Sequence, residues 1–495
     1  MIWILIVLSF AVAGVITARV ARRRFVRGAL RAVHRSRARI NRFKLTRKAH
    51  VRETLLADDA IASAVSAHAA ENSMTEVAAW KQVERYIDEI VPFFNILTYY
   101  RIGLVVSRLL LNFFYKVSAE YAGQSAQSAQ SAQSAQSAQS ALPRDAVVIY
   151  LMNHRSNADY VLVGYVLSGQ VAISYAVGEW ARVFPLEHIF KSFGAYFIRR
   201  KYGEKLYHTV LERYVQLITL NGVTQGIFLE GGLSRDGKIG KAKIGLLDYV
   251  LGAARDPALR KRLYIVPVAI NYDRVLEDRS LLRELDAREG RKRPPKRAQA
   301  AEVARYVWWN LARLVARRWK RYGRASVVIG EPLSVAAWLD ARAREGDDIF
   351  AIDRTERLAQ VQALADAALE KIAALVPVTP VSLACAALQS LDGDFVSHAR
   401  LVERMSDMRD VLRELNARVI HRDGDIEEIF DRAWRMLSMR RILVKTGSGY
   451  SILPRNRPLV SYYANSIAHL LGPFADGVRA RDSLPALAAG IVNVL

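Results

Sequence analysis

The chain has 495 residues, 52% apolar and 24% charged, which excludes wholesale disorder and is too long for one ordinary core, so two to four domains or helical subdomains are expected. Its 72 Lys and Arg against 48 Asp and Glu give a formal net charge of +24, pointing to a polyanionic partner, either nucleic acid or an anionic membrane face. The single cysteine, Cys385, excludes an intrachain disulfide framework or a cysteine-built metal site, and inside an apolar run it reads as a small buried side chain.

Residues 1–18 are apolar and uncharged, just long enough for a short membrane span. Arg19, Arg22, Arg23, Arg24, Arg27 and Arg31 follow at once, and the basic run continues to Lys48 with no acid between. A cleavable signal would carry its positive charge ahead of the apolar stretch. Here the charge comes after, which predicts a retained single-pass anchor in the cell's inner membrane, with the N-terminus outside and the arginine-rich side cytoplasmic. Beside such an anchor, anionic lipid headgroups suit the basic run better than nucleic acid does.

Helical patterning fills 52–91. Residues 91–117 are rich in Phe, Tyr and Leu with only Arg101, Arg108 and Lys116 charged, which fits a buried helix or one lying in a membrane interface. Gln-Ser-Ala then repeats in register over 124–141, a flexible or weakly helical spacer. After Pro143 the pattern turns to α/β. Apolar, β-branched runs at 146–152, 171–177, 194–198, 226–230, 264–270 and 325–330 read as strands, with helical stretches at 204–221 and 243–255. Such alternation predicts an α/β fold, a central mixed sheet flanked by helices, with helical N-terminal and C-terminal regions. The basic stretch 305–323 carries three Trp and suits a helix on a membrane surface. Expected boundaries are an anchor at 1–18, a basic helical region at 19–121, the linker at 122–142, an α/β domain at 143–335 and a mostly helical region at 336–495.

Four blocks in the α/β region carry candidate chemistry. NHRSNADY (153–160) follows a strand, and there His154 and Asp159 can meet across a turn leading into a helix. An imidazole base needs a carboxylate to fix its tautomer, and the triad logic runs without a serine if the substrate supplies the hydroxyl. Counted alone, the pair is equally a surface His capping a helix. GAYFIRRK (194–201) ends a strand in Arg199, Arg200 and Lys201, a phosphate seat or a plain basic strand end. FLEGGLSRDGK (228–238) places Glu230, Gly231, Gly232, Ser234 and Arg235 in a turn whose exposed N–H groups suit an oxyanion or phosphate; it lacks the spacing of a Walker loop. IVPVAINYDR (265–274) runs a strand into Pro267, which fits a sheet edge or a shaped binding wall.

Taken together the blocks resemble, in order and separation, those of the glycerol-phosphate acyltransferase superfamily. His154 and Asp159 match its H-x-x-x-x-D. Gly194, Phe197, Ile198, Arg199 and Arg200 resemble the G-x-x-F-I-R-R form of the glycerol 3-phosphate and dihydroxyacetone phosphate branch. Phe228, Glu230, Gly231, Gly232, Ser234, Arg235 and Gly237 are similar to F-x-E-G-G-R-S-R-x-G, and Val266, Pro267 and Val268 to the V-P-V strand. The match covers 146–275. Two positions depart from the pattern: Leu233 stands where the third block usually has Arg, and Asp273 where the branch more often has Glu.

The resemblance implies a membrane-bound acyltransferase that moves an acyl group from acyl-CoA or acyl-carrier protein to the sn-1 hydroxyl of glycerol 3-phosphate, forming lysophosphatidate for phospholipid synthesis. It assigns His154 as base, Asp159 as its orienting partner, Arg199, Arg200 and Arg235 to the phosphate, and the Glu230–Gly232 loop to the acceptor pocket; no cofactor or metal is implied. An acceptor such as dihydroxyacetone phosphate or a lysophospholipid (1-acylglycerol 3-phosphate) stays open, as does a non-catalytic membrane- or nucleic-acid-binding protein that kept the fold.

Overall fold

The computed structural model describes residues 48–94, 103–122, 142–143, 145–167, 173–178, 186–199, 202–290, 321–344, 349–391, 393–421 and 423–472. The expected anchor, most of the arginine-rich run, the Gln-Ser-Ala stretch, most of the Trp-bearing stretch, Arg200 and Lys201 lie outside these residues. Among the described residues no helix is long and apolar enough to cross a membrane. In chain order the strands are β1 (Lys116–Tyr121), β2 (Val147–Met152), β3 (Ser174–Gly178), β4 (Tyr196–Ile198), β5 (Gln225–Phe228), β6 (Leu263–Tyr272), β7 (Arg324–Ile329), β8 (Leu333–Ser334), β9 (Phe395–Ser397), β10 (Leu443–Thr446) and β11 (Gly449–Ile452).

The chain forms two compact units. One takes the described residues up to Leu110 together with those of Gly164–Gln225; the other takes Leu111–Val163 and Gly226 onward. In the first, the helix Lys205–Leu220 packs on Asp59–Glu71 and Glu76–Ile90. Ile61, Val65, Val83, Ile87, Val210, Tyr214 and Val215 are buried there, recurring at helical spacing as one apolar stripe per helix. Asp58 caps its helix by accepting from the Ala60 and Ile61 N–H groups and also pairs with Arg213 at 2.7 Å, so one carboxylate serves helix start and helix packing. β3 and β4 pair in parallel in this unit.

The second unit holds the predicted mixed sheet, in the order β1-β7-β6-β2-β5. β1 runs parallel to β7, β7 antiparallel to β6, and β6 parallel to β2, while β8 pairs antiparallel with the start of β6. Every residue of β2 is buried, which explains its unbroken apolar run.

Two expectations need correcting here. Pro267 is not on a sheet edge: β6 is central, with β2 on one side and β7 and β8 on the other. On that second side β8 pairs at Tyr264 and Ile265 and β7 only from Val268 onward. Pro267 falls in the gap, where its missing N–H breaks no ladder bond, while its carbonyl accepts from the Gly330 N–H at 2.8 Å. The helical reading of 91–117 also ends early. A helix spans Leu104–Phe114 with Leu111 buried and Leu109 and Leu110 exposed, and Lys116 already opens β1.

The region after Pro332 is mostly helical, with a small antiparallel sheet β10-β11-β9. Thr379 and Ser382 form a capping box at the start of Pro380–Ser390. Cys385 is fully buried in that helix, and burial pushes its thiol well above the ordinary range.

Candidate active site

β2 ends at Met152, and the next residues carry the first block across the carboxyl end of the sheet, where open α/β folds place their sites. The loop is held by a complete set of backbone bonds. The His154 N–H donates to Glu230 Oε1 at 2.8 Å, those of Arg155 and Ser156 to Asp159 Oδ2 at 2.7 and 3.0 Å, and that of Asn157 to Glu277 Oε1 at 3.2 Å. The Ala158 N–H donates to Ser156 Oγ and the Asp159 N–H to the Ser156 carbonyl. No backbone N–H between 154 and 159 is left over, which fixes a buried loop in one conformation. Asn153 ties the loop to β6, its side chain giving one hydrogen bond to the Ile270 carbonyl and taking one from the Ile270 N–H.

This frame brings the candidate pair together. His154 Nδ1 lies 2.9 Å from Asp159 Oδ2, and both residues are fully buried. An ionised carboxylate only accepts, so Nδ1 carries the proton and donates it, leaving Nε2 as the basic nitrogen. Nε2 is buried with no hydrogen-bond partner among the described residues. The ring stacks on Phe228 with centroids 4.0 Å apart and meets the edge of Tyr160. Asp159 starts the helix Asp159–Leu167. Its second oxygen accepts from the Tyr272 hydroxyl at 2.6 Å. Tyr272 closes β6; burial and the neighbouring Asp159 charge hold its phenol well above the ordinary range, so it stays a donor.

The third block supports this frame rather than standing apart from it. Glu230 accepts from the His154 N–H with one oxygen and from the Gly240 N–H at 2.9 Å with the other. Burial raises its pKa, against which those two N–H groups and the Arg155 and His154 charges work. Gly231 takes φ +61°, and a Cβ there would lie 2.7 Å from Lys243 Cδ. Gly232 is half-buried. Ser234 turns inward, its hydroxyl 2.6 Å from the Lys238 carbonyl. Arg235 pairs with Glu284 at 3.0 Å and is partly exposed. Pro267 is buried against Gly330, where a Cβ would come 2.7 Å from the proline ring.

Arg199 belongs to the first unit. Its Nε and Nη2 fork onto the Glu89 carboxylate at 2.9 and 2.6 Å, and its guanidinium lies over the Tyr86, Tyr202 and Tyr207 rings. The candidate phosphate arginines thus each hold a carboxylate where described. Among the described residues no group of three or more His, Cys, Asp or Glu is placed to hold a metal ion.

Residues after Pro332 reach the same site. Asn465 donates to the Asp236 carbonyl at 2.8 Å. Gly237 adopts φ +88° directly beneath the Tyr462 carbonyl, where a Cβ would come within 1.9 Å. Arg440 forks onto Asp278 at 2.5 and 2.8 Å, and the Tyr463 hydroxyl donates to the same carboxylate.

Two family models divide the chain along these lines. An acyltransferase model matches residues 135–271, and a model of the glycerol-3-phosphate acyltransferase C-terminal region matches 308–475. Over both regions the chain is similar to glycerol-3-phosphate acyltransferases. Relatives carrying that name include one from Actinobacillus succinogenes, 28% identical over 88% of this chain and 50% of its own, and one from Pseudoalteromonas atlantica, 26% identical over 93% and 53%. The chain spans about half the length of these curated relatives. A 1-acyl-sn-glycerophosphate acyltransferase from Thermotoga maritima is 17% identical over 52% of this chain and 73% of its own, with a TM-score of 0.27.

Several site residues were not singled out from sequence. Tyr272 lies inside the fourth block, and the tyrosine at the end of a strand already facing a strand-end His was the available signal. Arg155 and Ser156 sit between His154 and Asp159. Glu277 had no local signal at all, since it reaches Ser156 Oγ and the Asn157 N–H across 121 and 120 residues.

Proposed function

We propose that this protein transfers an acyl group from a thioester to a hydroxyl of glycerol 3-phosphate, releasing lysophosphatidate and a free thiol. The observation that carries the reading is His154, with Nδ1 on Asp159 and a buried, unpartnered Nε2. Nε2 takes the acceptor's hydroxyl proton as that oxygen attacks the thioester carbonyl. The carbon–sulfur bond then breaks, and the imidazolium returns the proton to the leaving thiolate. Asp159 steadies the imidazolium, and Tyr272 with the Arg155 and Ser156 N–H groups steadies Asp159. No acyl-enzyme intermediate is required, since the substrate supplies the nucleophile.

The donor is acyl-CoA or acyl-carrier protein and the preferred hydroxyl is sn-1, both supported by the family's resemblance. No separate cofactor or metal is needed. A lipid product and the apolar, arginine-flanked residues 1–31 support work at the cytoplasmic face of a membrane, with anionic lipids rather than nucleic acid as the charged partner. Leu233, where the family's third block usually has Arg, favours one second reading: an acceptor such as dihydroxyacetone phosphate or 1-acylglycerol 3-phosphate. The test is to offer the purified protein each acceptor with one radiolabelled acyl group, carried in turn by CoA and by acyl-carrier protein. Glycerol 3-phosphate should give the highest kcat/KM. Label passing only to another acceptor would refute the assignment, and no transfer to any would refute acyl transfer.

A further inference from the structure

Arg155 lies between the candidate base and its carboxylate in sequence, yet nothing in the proton transfer uses its side chain. It is 2% exposed. Nη1 donates to the Gly237 carbonyl, and the guanidinium carbon sits 5.6 Å from the centre of the Tyr462 ring. Nε and Nη2 have no partner among the described residues. Those two N–H groups form one edge of the guanidinium, the same edge with which Arg199 grips both oxygens of Glu89 at 2.9 and 2.6 Å. Arg155 therefore presents a whole bidentate fork with nothing in it.

A buried guanidinium whose N–H groups go unmatched is costly, and one left with its fork open is matched to an anion offering two oxygens side by side. Its nearest ties are all to the site. Its own N–H donates to Asp159 Oδ2, its side chain holds the third-block loop at Gly237, and it is one bond along the chain from His154. Consecutive Cα atoms stand about 3.8 Å apart, so Arg155 and His154 leave the same loop from adjoining points. The described arginines expected to hold phosphate are already engaged, Arg199 by Glu89 and Arg235 by Glu284.

We infer that Arg155 is a phosphoryl-anion contact of this site, its Nε–Nη2 edge gripping two phosphate oxygens carried either by the acyl acceptor or by the nucleotide of the acyl donor. This rests on the acyl-transfer reading for the substrates, but binding can be measured apart from turnover. The full chain is titrated calorimetrically with inorganic phosphate, glycerol 3-phosphate and CoA, in wild type, Arg155→Lys and Arg155→Gln, with His154→Ala as a variant expected to bind but not transfer. Melting curves report folding of each variant. Arg155→Lys keeps the charge but loses the fork, so it should weaken the phosphorylated ligand about tenfold or more and raise the matching KM while kcat stays within about threefold. A rise confined to the acceptor's KM assigns the fork to the acceptor; one confined to the donor's assigns it to the nucleotide. If both variants fold and bind all three ligands as wild type does, or lose kcat with both KM values unchanged, the inference is overturned while the acyl-transfer reading stands. If wild type binds none of the three ligands, the inference fails on binding alone.

Discussion

At the scale of residues, the proposed chemistry depends on how firmly one imidazole is aimed. Asp159 receives four donors: the Nδ1–H of His154, two backbone N–H groups and the Tyr272 hydroxyl. Together they hold the carboxylate, and through it the ring, in one orientation. Tyr272→Phe keeps the ring and its packing on Tyr115 but removes that hydroxyl. We expect kcat to fall about tenfold, in the range typical of acid–base positioning, with KM unchanged. A folded variant with the parent's kcat would make the hydroxyl a packing group only. The spacing of His154 and Asp159 was legible because five residues suffice to close a turn. Tyr272 was not, because 113 residues separate it from Asp159 and only the pairing of β2 with β6 brings them together.

At the scale of elements, the strands that read clearly were those buried on both faces. β2 and β6 are continuous apolar runs because neighbours cover them on every side, and such runs declare themselves in sequence. β1, with the sequence KVSAEY and mostly half-buried residues, lacks that mark. Its stability comes from its parallel partner β7, more than 200 residues away, and context of that kind overrides local propensity. The third of the chain after Pro332 gave a helical pattern but no chemistry, for the same reason of range. Arg440 and Tyr463 meet Asp278 across 162 and 185 residues. Burial alone would push the Asp278 carboxyl up, but the Arg440 charge and hydrogen bonds outweigh it and hold it below the ordinary carboxylate range. A carboxyl so lowered adds stability above its unfolded value and loses it as pH falls through the folded one. Arg440→Met should therefore cost about 3–5 kcal/mol near neutral pH by stranding a buried charge, and the penalty should be smaller at about pH 4, where the unpaired Asp278, pushed up by burial, takes a proton. Urea unfolding at the two pH values checks this; a penalty independent of pH would mean the pair contributes only by packing.

At the scale of the whole molecule, the fold class was legible because a buried sheet needs apolar strands. Its carboxyl ends carry loops, and the first and third blocks follow β2 and β5. Charge was equally legible, since an excess of +24 is a property of composition, whereas the Glu89–Arg199 and Glu284–Arg235 pairings exist only after folding. The proposed anchor separates two kinds of membrane binding. In about 1 M salt the reach of surface charge shrinks to about 3 Å, so a protein held by arginines alone washes off vesicles of anionic lipid, while one held by residues 1–18 stays bound. We expect retention after the wash, and release only when detergent is added; complete release by salt would assign the membrane contact to charge.

The most direct test of the central claim is the turnover of His154→Ala, assayed with glycerol 3-phosphate and radiolabelled acyl-CoA beside wild type. The variant should melt cooperatively as the parent does, because it loses one ring and leaves the Glu230, Asp159 and Glu277 backbone bonds of the loop in place. Label in lysophosphatidate should fall to the uncatalysed background. Transfer by the folded variant at a substantial fraction of the parent rate would contradict the assignment of His154 as the base.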